Sequence, residues 1–388
     1  MTNTSPLLDP FDAPVPAYGS ATLSDLLPAV AAGFDLPPSA LLPTTRLLLP
    51  PADRVCVFLI DGLGSEQLRQ HEAYAPFLAS LPDQRPTMNA GFPSTTAASL
   101  ASFGTGLPAG RHGLAGYSVA VPGKNVLMNQ IRWEPWTEPT LWQPHPTVFQ
   151  LLHEAGIEAA QVLPSRFATT GLTRIAVSGG RFFGDDDADR RIDRAAALLA
   201  AADRALVYTY LSDLDAAGHR YGVDSEEWRG ELMRADRLAE RLANSLPPRS
   251  ALYVTADHGM VDISQEDHVD FDHDWELRTG VSLLGGEGRA RHVYTAPGAA
   301  ADVLAVWTEV LGDRMWVASR QQAVDAGWFG PQVEDRVMGR LGDVIAVAHD
   351  DIAIVATEAE PGASSMIGLH GAMTPAEQSI PLLHLLGP

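Results

Sequence analysis

The chain has 388 residues, 46% of them apolar and 19% charged, an ordinary globular composition long enough for one large domain or for a domain carrying an insertion. Its formal net charge of −21 excludes a surface built for polyanions, because nucleic-acid backbones and anionic lipids are repelled at long range; an anionic ligand then needs a local positive source, for which a divalent ion is the obvious candidate. Cys56 is the only cysteine, which excludes a disulfide framework and a cysteine zinc cage and leaves His and carboxylates as metal ligands.

The first residues, MTNTSPLLDPFDAPVPAYG, lack a basic segment followed by an apolar core, and no run of about 18 apolar residues occurs anywhere. The expectation is a soluble cytoplasmic protein with neither a membrane nor a nucleic-acid polymer as partner, and compatible with a homodimer. Residues 1–51, rich in Pro, Leu and Ala, read as a wrapping arm with a short helix near Ser24 to Ala32. Val55 to Gly64, VCVFLIDGLG, is a continuous apolar run closed by Asp61 and Gly62. Such a run reads as a strand buried on both faces of a parallel sheet, and its C-terminal end is where these folds bind ligands. On its own, Asp61-Gly62 is more often only a tight turn.

Ser65 to Leu81 has helical spacing. Next, FPSTTAASLASFGTG places Ser94, Thr95 and Thr96 before a run of small residues that predicts a helix. Hydroxyls at a helix N-terminus sit among unpaired N–H groups that favour an oxyanion, although simple capping is the commoner reason for them. Ala205 to Leu211 predicts a second buried strand leading into SDLDAAGH. If that segment is helical, Asp215 and His219 are i and i+4 and share a face, whereas Asp213 does not share it with His219. A third strand, Ala251 to Thr255, ends in Asp257 and His258, and Gly259 permits irregular backbone there. His370 lies between glycines ahead of a final strand over Pro381 to Leu386.

Five segments, FLIDG, FPSTTAASLASFGTGLPAGRHG, YLSDLDAAGHRYG, VTADHGM and GLHG, occur in the order found in the alkaline phosphatase superfamily, and the chain resembles its nucleotide pyrophosphatase/phosphodiesterase family over Val55 to Leu386. The resemblance implies an α/β fold, with a mostly parallel central sheet flanked by helices on both faces, over 52–279 and 356–388. It also implies two divalent metal ions, usually Zn2+. Asp61, Asp257, His258 and the nucleophile would hold one ion, and Asp215, His219 and His370 the other. Aligning Thr105-Gly106-Leu107 with the family selects Thr96 as the nucleophile, with Thr95 as runner-up; Ser94 would need a shifted turn. The implied reaction is phosphodiester hydrolysis of a small anionic phosphate ester through a phospho-threonine intermediate. Nucleotide-cleaving relatives follow the nucleophile with an aromatic residue, a proline and an Asn-His pair, where this chain has Ala97, Ala98, Ser99 and Leu100. Tyr117 stands where they carry a phosphate-holding Asn, and is the substrate-contact candidate. Phosphomonoester or phosphonate hydrolysis at the same site is the alternative activity, favoured if Arg111 points inward, and a catalytically silent nucleotide-binding metalloprotein is the alternative class. The serine and lysine-arginine set of the superfamily's cofactor-independent mutases is not seen.

Three further features are read from the residues alone. Trp133, Trp136 and Trp142 among prolines suit either a stacking platform or, more commonly, loop packing. His268 and His273 within DISQEDHVDFDHD read as a solvated acidic loop. Residues 280–355 read as a small α+β insertion or cap of four short strands and a helix over Ala299 to Leu311, carrying Arg289, Arg291 and His292 either at its surface or toward substrate.

Overall fold

The computed structural model of the chain describes residues 7–35, 42–83, 87–135 and 137–388. In chain order the main strands are β1 (Arg54–Ile60), β2 (Glu158–Leu163), β3 (Arg181–Gly184), β4 (Ala205–Leu211), β5 (Ser250–Thr255), β6 (Val281–Glu287), β7 (Ala290–Thr295), β8 (Met315–Ser319), β9 (Val344–Ala348) and β10 (Leu382–Leu386). The main helices are α1 (Leu23–Ala32), α2 (Thr96–Thr105), α3 (Val148–Glu154), α4 (Ala188–Ala201), α5 (Asp213–Tyr221), α6 (Glu226–Ala243) and α7 (Ala300–Leu311).

The central sheet runs β10-β5-β1-β4-β2-β3, parallel except for the antiparallel edge strand β10. Strands β4 and β5 are buried along their whole length and β1 along all but its first residue. That is what continuous apolar runs require once helices cover both faces. Helices α4 and α6 pack together on one face, while α1, α2 and α3 form the other, where the Tyr208 ring of β4 meets Phe103 of α2 at 4.9 Å and Phe149 of α3 at 6.1 Å. Register decides where the chemistry lies. Ile60 pairs with Leu211 and Leu59 with Thr255, so the segments that follow β1, β4 and β5 leave the sheet at one level. The Asp61 amide donates to the Leu211 carbonyl at 2.9 Å and keeps the two chains together one residue beyond the strands.

The helical spacing of Ser65 to Leu81 does not give one helix. It is divided into Ser65–Gln70, a 3-10 turn over Glu72–Tyr74, and Pro76–Ser80. Pro76 has no N–H to continue the ladder and opens the last piece, a position proline tolerates.

Strands β6, β7, β9 and β8, in that spatial order, form a second, antiparallel sheet that carries α7. Its apolar core is continuous with that of the central sheet; Phe92 meets Phe329 at 5.1 Å and Trp328 at 5.7 Å. Arg289, Arg291 and His292 are all buried here rather than at the surface. Arg289 pairs with Glu377 at 2.7 Å, and the two side chains are 1% and 0% exposed. Glu377 also accepts from the Ala372 amide at 3.0 Å, and its carbonyl accepts from the Gly259 amide at 2.9 Å. One ion pair therefore ties the second sheet to the loops that carry His258 and His370. Arg289→Ala is expected to lower stability by about 3–5 kcal/mol, because it strands a buried carboxylate. Arg289→Met combined with Glu377→Leu should recover part of that loss; chemical denaturation of the single and double variants measures both.

Candidate metal centre

Asp61 follows β1 directly, and Gly62 after it adopts φ +74°, the left-handed region where a side chain would be strained. A Cβ on Gly62 would also lie 3.1 Å from the Asp215 Cβ, so glycine lets the two aspartates approach. Asp215 lies in the first turn of α5, one helical turn before His219, and their Oδ1 and Nε2 are 3.4 Å apart. Asp213 instead pairs with Arg234 at 3.5 Å. Asp257 and His258 follow β5 after Ala256, and His370 comes from the loop beyond the second sheet.

These residues form two triads, Asp61-Asp257-His258 and Asp215-His219-His370, in each of which one potential ligand atom per residue lies within 4.8 Å of the others. They are the only such clusters among the described residues, and none forms around His268 and His273. The triads adjoin: the His258 and His370 rings stack at 3.6 Å with 16° between their planes. His258 Nε2 lies 3.5 Å from Asp61 Oδ1 and 3.6 Å from Asp257 Oδ2; His370 Nε2 lies 3.3 Å from His219 Nε2 and 3.8 Å from Asp215 Oδ1.

The hydrogen bonds behind the triads decide what they fit. In each histidine Nδ1 faces a backbone carbonyl, Gly259 at 3.0 Å for His258, Gly368 at 2.7 Å for His219 and Ser94 at 2.8 Å for His370. Nδ1–H must donate there, which leaves all three Nε2 lone pairs turned inward toward carboxylates. Asp61 Oδ1, Asp215 Oδ1 and Asp257 Oδ2 are buried without a hydrogen-bond partner. Two of the remaining oxygens are satisfied: Asp61 Oδ2 accepts from the Tyr210 hydroxyl and Asp257 Oδ1 from the Gly62 amide at 3.2 Å. Bare oxygens facing bare nitrogen lone pairs repel unless cations lie between them, so these residues fit a pair of divalent ions. The electrostatics of the protein without ions agree. Burial, then the charges of Asp257 and Asp215, raises the Asp61 carboxyl well above the usual range; burial also raises Asp257. Burial and the neighbouring His258 and His219 hold His370 well below the ordinary imidazole value.

Of the three hydroxyls at the start of α2, Thr96 is the one at the triads, with Oγ1 3.2 Å from His258 Nε2 at the first residue of the helix. Ser94 is fully buried; its Oγ donates to the Ala372 carbonyl at 2.8 Å and accepts from the Gly371 amide at 3.2 Å, bracing the loop of His370. Thr95 is the N-cap residue, but its side chain makes no capping bond. Arg111 is turned away and pairs with Glu334 at 2.8 Å.

Two cavities flank Thr96 and Asp215 and share Ile131 as a wall. One, of about 300 Å³, lies against Asp61 and Tyr210 and is lined by Leu100, Phe167 and Leu172, with Arg166 among its walls. The other, of about 240 Å³, adjoins His219 and His370 and includes Tyr117, Glu287 and Arg291. Burial pushes the Glu287 carboxyl up to about 8, against the opposing influence of the Thr95 hydroxyl and the Arg291 charge. Nothing local in the sequence singled out Glu287, Tyr210 or Arg166. Neither Trp133 nor Trp142 lines these cavities. Trp133 lies against Gly171, and Trp142 is buried beneath the Arg340 guanidinium at 3.8 Å, which is loop packing; Trp136 lies outside the described residues.

The family model described as type I phosphodiesterase / nucleotide pyrophosphatase matches residues 55–373. Human ectonucleotide pyrophosphatase/phosphodiesterase family member 7 is 36% identical over 124 residues, which is 27% of each chain. A phosphopentomutase of Anaeromyxobacter dehalogenans is 35% identical over 119 residues, 30% of this chain and 28% of the mutase. The matches thus span little more than a quarter of these curated relatives. Among solved structures, murine ectonucleotide pyrophosphatase/phosphodiesterase 5, an inactive threonine-to-alanine variant in complex with AMP, superposes with a TM-score of 0.67 at 18% identity, over 86% of this chain and 87% of that one. The human protein of the same name gives 0.66 at 17% identity, over 86% and 88%. At such identities the likeness is one of fold, an α/β core with a mostly parallel sheet.

Proposed function

Because the chain belongs to the type I phosphodiesterase and nucleotide pyrophosphatase family, we propose that it hydrolyses small phosphodiesters, nucleotide esters among them, with Thr96 as nucleophile and two divalent ions, zinc being suited to this donor set. The observation that carries the reading is the set of three orphaned carboxylate oxygens and three inward imidazole nitrogens gathered beside the Thr96 hydroxyl. Asp61, Asp257 and His258, with Thr96, would hold one ion, and Asp215, His219 and His370 the other. When bound, the ions supply positive charge that favours ionisation of a hydroxyl or water and offsets charge on a departing oxygen.

The protein's own groups account for the rest. Thr96 Oγ1 attacks phosphorus, the bond to the leaving alcohol breaks, and a phospho-threonine forms; water then cleaves the new P–O bond and restores the hydroxyl. The N-terminus of α2 directs its unpaired N–H groups and positive dipole end toward the phosphoryl oxygens. The carbonyls of Gly368, Gly259 and Ser94 hold the imidazoles in one tautomer, and the Tyr210 hydroxyl fixes the Asp61 carboxylate. The murine relative, inactive as a threonine-to-alanine variant and holding AMP, supports both the hydroxyl nucleophile and a nucleotide as one substrate.

Diesters are favoured over monoesters for two reasons. Two ions carry about four positive charges against three carboxylates, a modest excess that suits a singly charged diester. Arg111, the candidate clamp for a second phosphate charge, is engaged by Glu334. With metal-replete protein, bis-nitrophenyl phosphate should be hydrolysed with kcat/KM about 10²-fold above that for nitrophenyl phosphate, the cost of a missing charged donor. Predominant monoester turnover would overturn the substrate class, and absence of bound metal by elemental analysis would overturn the mechanism.

A further inference from the structure

The larger of the two cavities carries a cation that the proposed chemistry does not use. Arg166 lies in the 3-10 turn Ser165–Phe167 beyond β2 and is exposed at the rim, while Leu163, Leu172, Ala176 and Val177 are buried and give the cavity an apolar floor. One terminal nitrogen donates to the Ser212 hydroxyl at 3.2 Å, and the guanidinium lies over the Phe167 ring at 4.6 Å. Arg111, Arg289 and Arg291, the other arginines about the site, are each paired with a glutamate. Arg166 has no carboxylate partner among the described residues, although the chain carries a formal charge of −21.

The contacts inward from Arg166 lead to the metal centre. Phe167 meets the Tyr210 ring edge-on at 6.0 Å, and the Tyr210 hydroxyl donates to Asp61. Two rings in series thus connect the guanidinium to the first triad, and Thr96 and Leu100, one turn apart on α2, line the same cavity. An ester group on a phosphorus at Thr96 that enters this cavity runs along apolar walls and ends at an unneutralised positive charge. A second phosphate joined directly to the scissile one stays beside the ions, so the anion that Arg166 meets is one carried at the far end of an apolar body. At about 300 Å³ the cavity lies at the small end of ligand sites, with room for one ring or a short chain.

We propose, resting on the phosphodiesterase reading above, that Arg166 is a specificity residue: the cavity takes an ester group with an apolar body and a terminal carboxylate, and the guanidinium holds that carboxylate at the rim. The planar fork of N–H donors matches the two oxygens of a carboxylate. The bond to Ser212 and the stacking on Phe167 place the fork before a ligand arrives, so little side-chain freedom is lost on binding.

The test uses three mixed diesters that share nitrophenolate as the leaving group and differ in the aryl group that stays on phosphorus: phenyl, carboxyphenyl and trimethylammoniophenyl. Nitrophenolate release gives kcat/KM for each on metal-loaded wild type, Arg166→Ala, Arg166→Lys and Arg166→Glu, with bis-nitrophenyl phosphate as the reporter of diesterase chemistry. Comparing the ratio of two substrates between proteins cancels their intrinsic reactivities. The carboxyphenyl-to-phenyl ratio is expected to be about five- to tenfold higher in wild type than in Arg166→Ala, the size of a charge-assisted hydrogen bond near the surface. Arg166→Lys, which keeps the charge without the fork, should keep part of that preference, and Arg166→Glu should shift it toward the trimethylammoniophenyl diester. A ratio equal in wild type and Arg166→Ala, or rates that fall together for all three diesters as a merely structural role requires, overturns the proposal and leaves the phosphodiesterase reading standing. Failure of metal-loaded wild type to hydrolyse bis-nitrophenyl phosphate removes both.

Discussion

Thr96→Ala is expected to reduce diester turnover on the order of 10³-fold or more while leaving the metal content of the protein unchanged. The size follows from the hydroxyl's function: a covalent step replaced by direct attack of water loses both its nucleophile and that nucleophile's fixed position. Metal retention follows from geometry, because each triad keeps all three of its donors without Thr96. The neighbouring hydroxyls supply the controls. Ser94 is engaged at both ends by Ala372 and Gly371, so Ser94→Ala acts by loosening the His370 loop and should lower metal affinity before it lowers kcat. Thr95→Ala removes a side chain beside Glu287 and should slow turnover far less than Thr96→Ala. Thr96→Ser, which keeps the hydroxyl, should retain most of the rate. Trapping the phosphorylated protein by acid quench supplies a second readout, and a phosphate found on Thr95 would move the nucleophile by one residue.

Much of the site was legible because it hangs on backbone. The runs that form β1, β4 and β5 are apolar without interruption, so each reads as a buried parallel strand whose C-terminal end is where such sheets bind ligands; Asp61, Asp257 and His258 follow the ends of β1 and β5, and Asp215 lies in the first turn of the helix after β4. The i, i+4 spacing of Asp215 and His219 needed only that α5 be a helix. His370 was different: a histidine between glycines has no periodicity to read, and only the order of the separated segments drew attention to it. What stayed illegible depends on contacts distant in sequence. Glu287 lies in GGEGRAR, where nothing local marks it and where Arg291 could be read either way, and both line the cavity because the second sheet packs its β6 and β7 end over the loop at Gly371. Arg111 was ambiguous for the same reason, since its partner Glu334 is 223 residues away. The helix expected over Ser65 to Leu81 failed locally instead, first at His71 and again ahead of Pro76.

Removing the metals is expected to destabilise the fold as well as abolish activity, and by an amount that depends on pH. An ion that binds only the folded chain at a free concentration 1,000 times its dissociation constant contributes about 4 kcal/mol, so two such ions outweigh any single side chain in the molecule. Without them, three buried carboxylate oxygens have no partner. In the metal-free protein Asp61 and Asp257 hold their protons above the usual carboxylate range, so the folded chain binds more protons there than the unfolded one and loses stability as pH rises through that interval. His370 has the opposite sign: its lowered value means the unfolded chain binds the extra proton, and folding is weakened as pH falls below the ordinary imidazole value. Ion binding needs both carboxylates ionised and Nε2 free, so it releases protons and strengthens as pH rises. The gap in denaturation midpoint between metal-loaded and chelator-treated protein should therefore widen steadily from about pH 5 to pH 8. Paired denaturant titrations across that range, with metal content followed by elemental analysis, measure it. A gap that stays constant with pH would mean that the ions are held by groups other than these carboxylates and imidazoles.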